Sequence, residues 1–267
     1  GAGGRVRGGG VGGRGGGGAA RAVAEEEKAT TTAWGDETAT RGGRARSNER
    51  GAGRGAAGLG VDADGGDTYG NISAAVAAAG RGETVTVRPG TYEETVQLRT
   101  DVTLVAPEGA VLDGRSRDGD AGIVIVGDAA PTVRGFTLVG HTVGVAASRT
   151  TGDWTVRNVT VADSERVAVH TARSAGDWTL AEATLSGTTG VAVGAFRSRG
   201  DWTVSRVSIT GPSGVAINAR AATGDWRVAA AAVHETAARG PLTPPWPRPA
   251  AYAPGTTGPW TQHASRY

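Results

Sequence analysis

The chain has no cysteine and no methionine, and only two phenylalanines among its 267 residues. Without cysteine it can form neither disulfide bonds nor thiolate metal sites. It also lacks a run of 18 apolar residues, so the sequence predicts no membrane-spanning helix. The four histidines lie far apart and share no position in a repeat, so no histidine metal site is predicted.

Basic charge is carried almost entirely by arginine. The chain has 28 basic residues, of which Lys28 is the one lysine, against 26 acidic residues, and its formal net charge is +2. The arginines are scattered along the chain and form no single basic cluster, which argues against a nucleic-acid partner. We therefore expect a monomer that binds no nucleic acid.

Composition divides the chain into three parts. Residues 1–66 are rich in glycine and arginine and cannot bury enough apolar surface to fold, so disorder is predicted there. Phenylalanine and tyrosine are absent from residues 1–60, which argues against RNA binding by this segment. Residues 239–267 contain prolines that prevent regular repeats, and they are predicted to be a tail. The folded domain is predicted at 67–238.

Gly-Asp-Trp occurs four times at an interval of 24 residues, beginning at Gly152, Gly176, Gly200 and Gly224. A fixed period of this length indicates a solenoid, in which each coil buries its apolar face against the next. The segments between the tripeptides are short and rich in β-branched residues, whereas helical repeats need longer segments at helical spacing. The prediction is an all-β fold, a parallel β-helix with 24-residue coils.

Two columns of aliphatic residues are predicted to point into the solenoid. Alternation puts Trp154 and Val156 on one face, and after a shift at Asn158 it puts Val159 and Val161 there. The shift predicts a corner, and three strands with three turns are expected in each coil. The columns are Val156, Leu180, Val204, Val228 and Val161, Leu185, Ile209, Val233.

Less regular strands are predicted before these coils, and a short helix before the strands. The alanine-rich stretch 67–79 ends before Gly80 and is predicted to contain a helix whose Ile72, Val76 and Ala79 cover the first coil. The predicted strands are bounded by glycine, proline or aspartate, as strands usually are. They lie at 84–87, 95–98, 102–105, 110–112 and 123–126.

The start of the predicted domain resembles a known superfamily. Residues 71–79, the run 82–94 with its Pro-Gly-Thr-Tyr-Glu-Glu segment, and residues 111–114 resemble the first coils of right-handed parallel β-helices in the pectin-lyase-like group. That group includes pectinesterases, pectate lyases and the carbohydrate-binding and sugar-hydrolase β-helix module. The Gly-Asp-Trp coils are similar to repeats in surface proteins of salt-loving archaea. The resemblance implies the right-handed fold, and a shared fold does not by itself carry a function.

The four tryptophans of the repeats form a column of their own. Trp154, Trp178, Trp202 and Trp226 share a face with the inward aliphatic residues, so alternation predicts that they lie in the core. The alternative is an outward column, which would offer an aromatic platform to sugar rings.

The four aspartates of the repeats, Asp153, Asp177, Asp201 and Asp225, form a column of like charges. The prediction is that each accepts a hydrogen bond from a backbone N–H of its own Gly-Asp turn. A row of Ca²⁺ ions that relieves the repulsion is the alternative.

Acidic and basic side chains also cluster in one predicted turn. Asp113, Asp118 and Asp120 are candidate Ca²⁺ ligands, and Arg115, Arg117 and Asp118 are candidate catalytic groups. Polysaccharide lyases of the resembled group use such carboxylates to hold Ca²⁺ and an arginine as the base. The ordinary interpretation is a structural turn, because aspartate, glycine and serine are typical of turns.

The sequence lacks the segments that carry catalysis in the resembled esterases and hydrolases. Asp-Phe-Ile-Phe-Gly and Gln-Asp-Thr segments like those of pectinesterases are missing, and so are the Asn-Thr-Asp, Asp-Asp and Gly-His-Gly segments of polygalacturonases. We therefore expect a non-catalytic module, outside the cell or at its surface, that binds polysaccharide or envelope glycan.

The predicted ligand-binding residues are Arg157, Thr160, Arg206 and Ser208, which lie on outward positions of the regular coils. A linear polymer could meet several coils at once there and bind by multivalency. Two alternatives stay open: a Ca²⁺-dependent polysaccharide lyase of the pectate-lyase type, and a purely structural surface spacer. Calcium is the one cofactor considered, and only the lyase would need it.

Overall fold

The computed structural model describes residues 59–116, 120–211 and 215–234, together with the backbone of two strands at 251–252 and 260–265. Over this part the chain is a parallel β-solenoid of about seven turns, each about 24 residues long, and the predicted fold class is confirmed. Disorder is predicted for residues 1–66, and residues 1–58 of that segment lie outside the described part. Most of the predicted tail lies outside it as well.

The described residues form one helix, α1, and strands numbered here in chain order. No helix in this part of the chain is long and apolar enough to cross a membrane. The bounds are β1 Leu59–Val61, α1 Ile72–Ala78, β2 Thr84–Val87, β3 Thr91–Tyr92, β4 Val96–Leu98, β5 Thr103–Asp113, β6 Ala121–Ile125, β7 Thr132–Val139, β8 Val143–Ser148, β9 Trp154–Ala162, β10 Val167–Ala172, β11 Trp178–Ser186, β12 Val191–Phe196, β13 Trp202–Thr210, β14 Ile217–Asn218, β15 Trp226–His234, β16 Ala251–Tyr252 and β17 Trp260–Ser265.

The strands pair in two parallel sheets that run the length of the solenoid. The first sheet has the order β1-β2-β5-β7-β9-β11-β13-β15-β17, with β3 also paired to β5, and the second has the order β4-β6-β8-β10-β12-β14-β16. Between β9, β11 and β13 the register is strict, so that Trp154, Trp178 and Trp202 are direct neighbours. Every 24-residue repeat therefore occupies the same place in its coil.

Each regular coil has one long and one short strand, so the prediction of three strands per coil is wrong. Asn158 in the middle of β9 has φ 50°, and the aligned residues Glu182, Arg206 and Ala230 have φ 55°, 52° and 51°. A single residue in the left-handed region bends the strand, while the ladder resumes after it. The predicted corner is thus in the right place, but it is a bend within one strand.

The interior is filled by the two predicted columns. Leu180, Leu185 and Ile209 are fully buried, and Val161 and Val228 are 1% and 3% exposed. Val233, the last member of its column, is partly buried and packs against the same core. Each fully buried aliphatic side chain contributes about 1.5–3 kcal/mol relative to an exposed one. The predicted inward columns are confirmed.

Helix α1 covers the start of the solenoid, as predicted. Its Ile72, Ala75 and Val76 are buried, and it contacts β1, β2 and β4. The helix begins after Asn71, whose Oδ1 accepts the N–H of Ala74 at 2.8 Å. Such an N-cap satisfies a backbone donor that has no partner within the helix. Because β1 already pairs with β2, ordered structure begins before residue 67.

Replacing Leu185 by Asp tests the inward direction of the second column. The change buries an unpaired carboxylate between two coils, and we expect it to lower the free energy of unfolding by about 3–5 kcal/mol. The control is Thr184→Asp on the exposed side of the same strand, where we expect a change of about 0.5 kcal/mol. Denaturant unfolding of both variants measures the difference, and equal losses would contradict the assigned faces.

Candidate functional site

The glycines of the Gly-Asp-Trp tripeptides lie at close backbone contacts between successive coils. A side-chain carbon on Gly176 would overlap the carbonyl oxygen of Gly152, and one on Gly200 would overlap that of Gly176. Only glycine allows the backbones to approach in this way. The first residue of the tripeptide is therefore fixed by the packing of one coil on the next.

The aspartates of the tripeptides link one coil to the next. Oδ1 of Asp153 accepts the backbone N–H of Asp177 at 2.7 Å, and the same bond at 2.7 Å joins Asp177 to Asp201 and Asp201 to Asp225. The sequence predicted a hydrogen bond within each aspartate's own turn, and that partner is wrong. The carboxylates still satisfy backbone donors, but the donors belong to the following coil.

The tryptophans form a stacked column in the core. Trp154, Trp178, Trp202 and Trp226 are only 2–4% exposed. Successive ring centroids are 5.2, 4.9 and 4.9 Å apart, and the ring planes differ by 3–8°. The core prediction is confirmed, and the alternative of an outward aromatic platform is wrong because the ring faces cover one another.

The stacked indoles bury polar atoms as well as apolar ones. In the described part of the chain, the Nε1 donors of Trp154, Trp178 and Trp202 are inaccessible and have no hydrogen-bond partner. A buried donor without a partner costs about 1–3 kcal/mol. Ring stacking and apolar burial therefore stabilise the column, and the buried Nε1 donors without partners oppose that stabilisation.

A groove of about 570 Å³ runs along the outside of the tripeptide column. We call it the Asp-Trp-Thr groove, because residues 153–155, 177–179, 201–203 and 225–227 line it, with Arg227 in place of the last threonine. The aspartates are exposed, the threonines are half-buried, and the tryptophans are buried. The groove thus presents carboxylates from four coils and hydroxyls from three of them in one line. No single coil contains the groove, which is why only the columns that line it could be predicted from the sequence.

The predicted ligand-binding residues lie outside this groove. Thr160 and Ser208 are half-buried and occupy one column of the first sheet, two coils apart, with Thr184 between them. Arg157 is exposed in a neighbouring column. Arg206 lies at the bend, where its Nη2 is 2.6 Å from Oε1 of Glu182. The four residues are therefore spread over the outward face of the first sheet.

The predicted acidic turn contains a closed ion pair. Arg115 donates from Nη2 to Oδ2 of Asp113 at 2.5 Å and from Nε to Oδ1 at 2.9 Å. The pair lowers the pKa of Asp113 to about 2 and raises that of Arg115, chiefly through these side-chain hydrogen bonds. Both oxygens of Asp113 accept from Arg115, and the roles of Asp113 as a Ca²⁺ ligand and of Arg115 as a base stay predictions. Asp120 is half-buried, and Arg117 and Asp118 lie outside the described residues.

Two histidines, His141 and His170, are buried. Desolvation lowers the pKa of His141, and it lowers the pKa of His170 to about 4. Nε2 of His141 lies 3.1 Å from the carbonyl oxygen of Leu112. Within the described ranges, no group of three or more histidine, aspartate or glutamate side chains is arranged to hold a metal ion.

Comparisons with protein-family models, with curated proteins and with solved structures gave no match to this chain. The pectin-lyase-like resemblance therefore remains a prediction from the sequence, while the parallel β-solenoid itself is shown by the strand pairing.

Two substitutions of Asp177 separate its hydrogen bond from its charge. Asp177→Ala removes the acceptor for Asp201 N–H, and we expect it to cost about 1 kcal/mol of unfolding free energy. Asp177→Asn keeps an Oδ1 acceptor and should retain most of that stability. Thermal unfolding of the two variants provides the measurement. If asparagine destabilises as much as alanine, the bond between coils is not what the carboxylate contributes.

The ion pair of Asp113 predicts a pH dependence of stability. Its folded pKa of about 2 lies below the unfolded value of about 3.9, so its contribution is complete above pH 4 and is lost as the pH falls towards 2. The stability difference between the wild type and Asp113→Asn should therefore shrink over that interval. Arg115→Ala should remove the same pH-dependent part. Unfolding curves at several pH values test this. A stability difference between the wild type and Asp113→Asn that does not change with pH would contradict the ion pair of Asp113 with Arg115.

Proposed function

We propose that this solenoid is a non-catalytic module that binds a linear polysaccharide or envelope glycan, outside the cell or at its surface. The observation that supports this proposal is the Asp-Trp-Thr groove, in which four coils present an aspartate, and three of them also a threonine, along one line. A polymer that repeats one unit many times is the ligand that can use such a repeated site.

The chemistry of the groove suits sugar hydroxyls. Carboxylate oxygens accept hydrogen bonds from hydroxyls, and threonine hydroxyls both donate and accept. Each such contact on an exposed surface is weak, but contacts on one chain add up, because the second and later ones form at high effective concentration. Affinity should therefore increase with the length of the polymer.

The lyase alternative has less support. It needs a base and a Ca²⁺ site, whereas Arg115 and Asp113 in the described part of the turn are bound to each other. A structural spacer is consistent with the solenoid, but it would not require polar side chains aligned in a groove.

Two tyrosine substitutions distinguish the groove from the binding surface that the sequence predicted around Thr160. Thr179→Tyr fills the middle of the groove, and Thr160→Tyr places the same side chain on that other surface. Isothermal titration calorimetry against neutral, cationic and anionic oligosaccharides, each in short and long forms, is the measurement. We expect Thr179→Tyr to weaken binding about tenfold or more and Thr160→Tyr to leave it unchanged.

Thermal unfolding checks that both variants keep the fold. A loss confined to Thr160→Tyr would move the binding site to the surface of Arg157, Thr160, Arg206 and Ser208. Absence of binding to every oligosaccharide by the wild type would reject the proposed function.

A further inference from the structure

The strands of the second sheet are buried on both faces, in contrast to those of the first sheet. Every residue of β6 and β12 is buried, and so is every residue of β8 and β10 except the last. In β9 of the first sheet, buried positions alternate with half-buried and exposed ones. A strand of a solenoid faces the core with one side, so burial of its other side requires something that packs there.

One column of side chains shows how far the outer face of the second sheet is covered. Val169 belongs to the core, and His170 follows it on the opposite side of β10. The column of His170 contains, one residue per coil, Gln97, Val124, Ala146, His170, Gly194 and Asn218. Gln97 is exposed, whereas Val124 is 6% exposed and His170 only 1%. The covered region therefore begins at β6 and extends towards the C-terminal end of the sheet, where Asn218 is also buried.

Apolar side chains surround His170 on this outer face. A second column consists of Val143, Val167 and Val191. All three are buried, Val167 fully, and the ring of Phe196 is buried 5.4 Å from that of His170. These four apolar residues are not part of the hydrophobic core inside the solenoid. Of the described helix and strands, only β8 and β12 make extensive contact with β10. The cover therefore comes from outside these elements.

The C-terminal segment 235–250 is placed to reach this face. It joins β15 to β16, and β16 is the last described strand of the second sheet. The same connection takes residues 163–166 after β9 and residues 187–190 after β11, so the last one is about four times as long. Eight extended residues span about 25 Å, which equals about five coil spacings. A segment that runs out and back therefore reaches from β16 to β6, where the covered region begins.

The composition of that segment suits an apolar sheet face. It contains five prolines, together with Leu242 and Trp246. Proline has no N–H to leave unpaired and favours an extended conformation, so such a segment loses little entropy when it packs. Extended proline-rich segments bind surfaces that aromatic side chains line. The outer face offers the rings of His170 and Phe196 for such a contact.

We infer that residues 235–250 pack in an extended form on the outer face of the second sheet, from β14 to β6, as a part of the folded domain. The contact is within one chain, because His170 and Val167 are buried in a single copy. The Asp-Trp-Thr groove is lined by the first sheet, so this packing does not rest on the proposed function.

Chemical modification of the histidines tests this packing. Diethyl pyrocarbonate acylates accessible imidazoles, and mass spectrometry locates each product. His170 probes the covered face, the exposed His234 gives the rate of a free imidazole, and His141, buried elsewhere, reports on the fold. In the full-length wild type at pH 7 we expect His170 to react about tenfold or more slowly than His234. Buried and free imidazoles are both mostly neutral at that pH, so the rates report access.

Two tryptophan substitutions compare the proposed cover with the N-terminal segment. Trp246→Ser removes the largest apolar side chain of residues 235–250. We expect it to raise the rate of His170 about tenfold while His141 stays protected. Trp34→Ser makes the same change within residues 1–58 and should leave His170 protected. A stronger variant replaces residues 241–249 by glycine and serine at unchanged length, and should bring the rate of His170 close to that of His234.

Every other outcome overturns the inference. If His170 stays as slow as in the wild type in both variants of the C-terminal segment, residues 235–250 do not cover the face. Faster reaction in Trp34→Ser alone would assign the cover to the N-terminal segment. Protection that disappears on dilution would assign it to a second copy of this chain. Reaction of His141 together with His170 in Trp246→Ser would contradict a local contact, because the whole fold would then depend on the segment.

Discussion

The constraint on which this structure depends is that each coil must satisfy its backbone in the next coil. Parallel strands have no partner within a coil, so the N–H and C=O groups of the ladder pair with those of neighbouring coils, as between β9 and β11. Unpaired groups in the interior would be costly. A coil is stable only where a neighbour repeats its shape in register, and the 24-residue period supplies that repetition.

The Gly-Asp-Trp tripeptide is the point at which this register is set. Gly176 lets the coils approach, the carboxylate of Asp153 binds the backbone of Asp177, and Trp154 stacks on Trp178. All three contacts run between coils, so a shift by one residue would break them together. The same repetition places equal charges and hydroxyls above one another on the outside. Stability and the repeated polar groove therefore have one cause.

The sequence predicted the features that alternation and period control. The inward positions of Leu185 and Trp178 follow from a period of two, and the coil length follows from the repeats. Contacts between coils were harder to predict, because reading one coil cannot show that Asp153 bonds to its neighbour's backbone. The groove was missed for the same reason. The predicted site residues Arg157 and Thr160 were chosen as outward positions, and alternation does not reveal whether outward positions form a concavity.

The most direct test of the stacked register is the ultraviolet absorption of the indoles. Parallel indoles stacked face to face about 5 Å apart couple their electronic transitions and absorb less strongly than separate indoles, so the folded wild type should absorb less in the strong indole band than the unfolded chain. Trp178→Phe interrupts the column between Trp154 and Trp202 and should reduce this difference strongly. Tyr69→Phe, which removes no indole, should leave it unchanged. Equal absorption by the folded and the unfolded chain would contradict the stacked column and the register between coils.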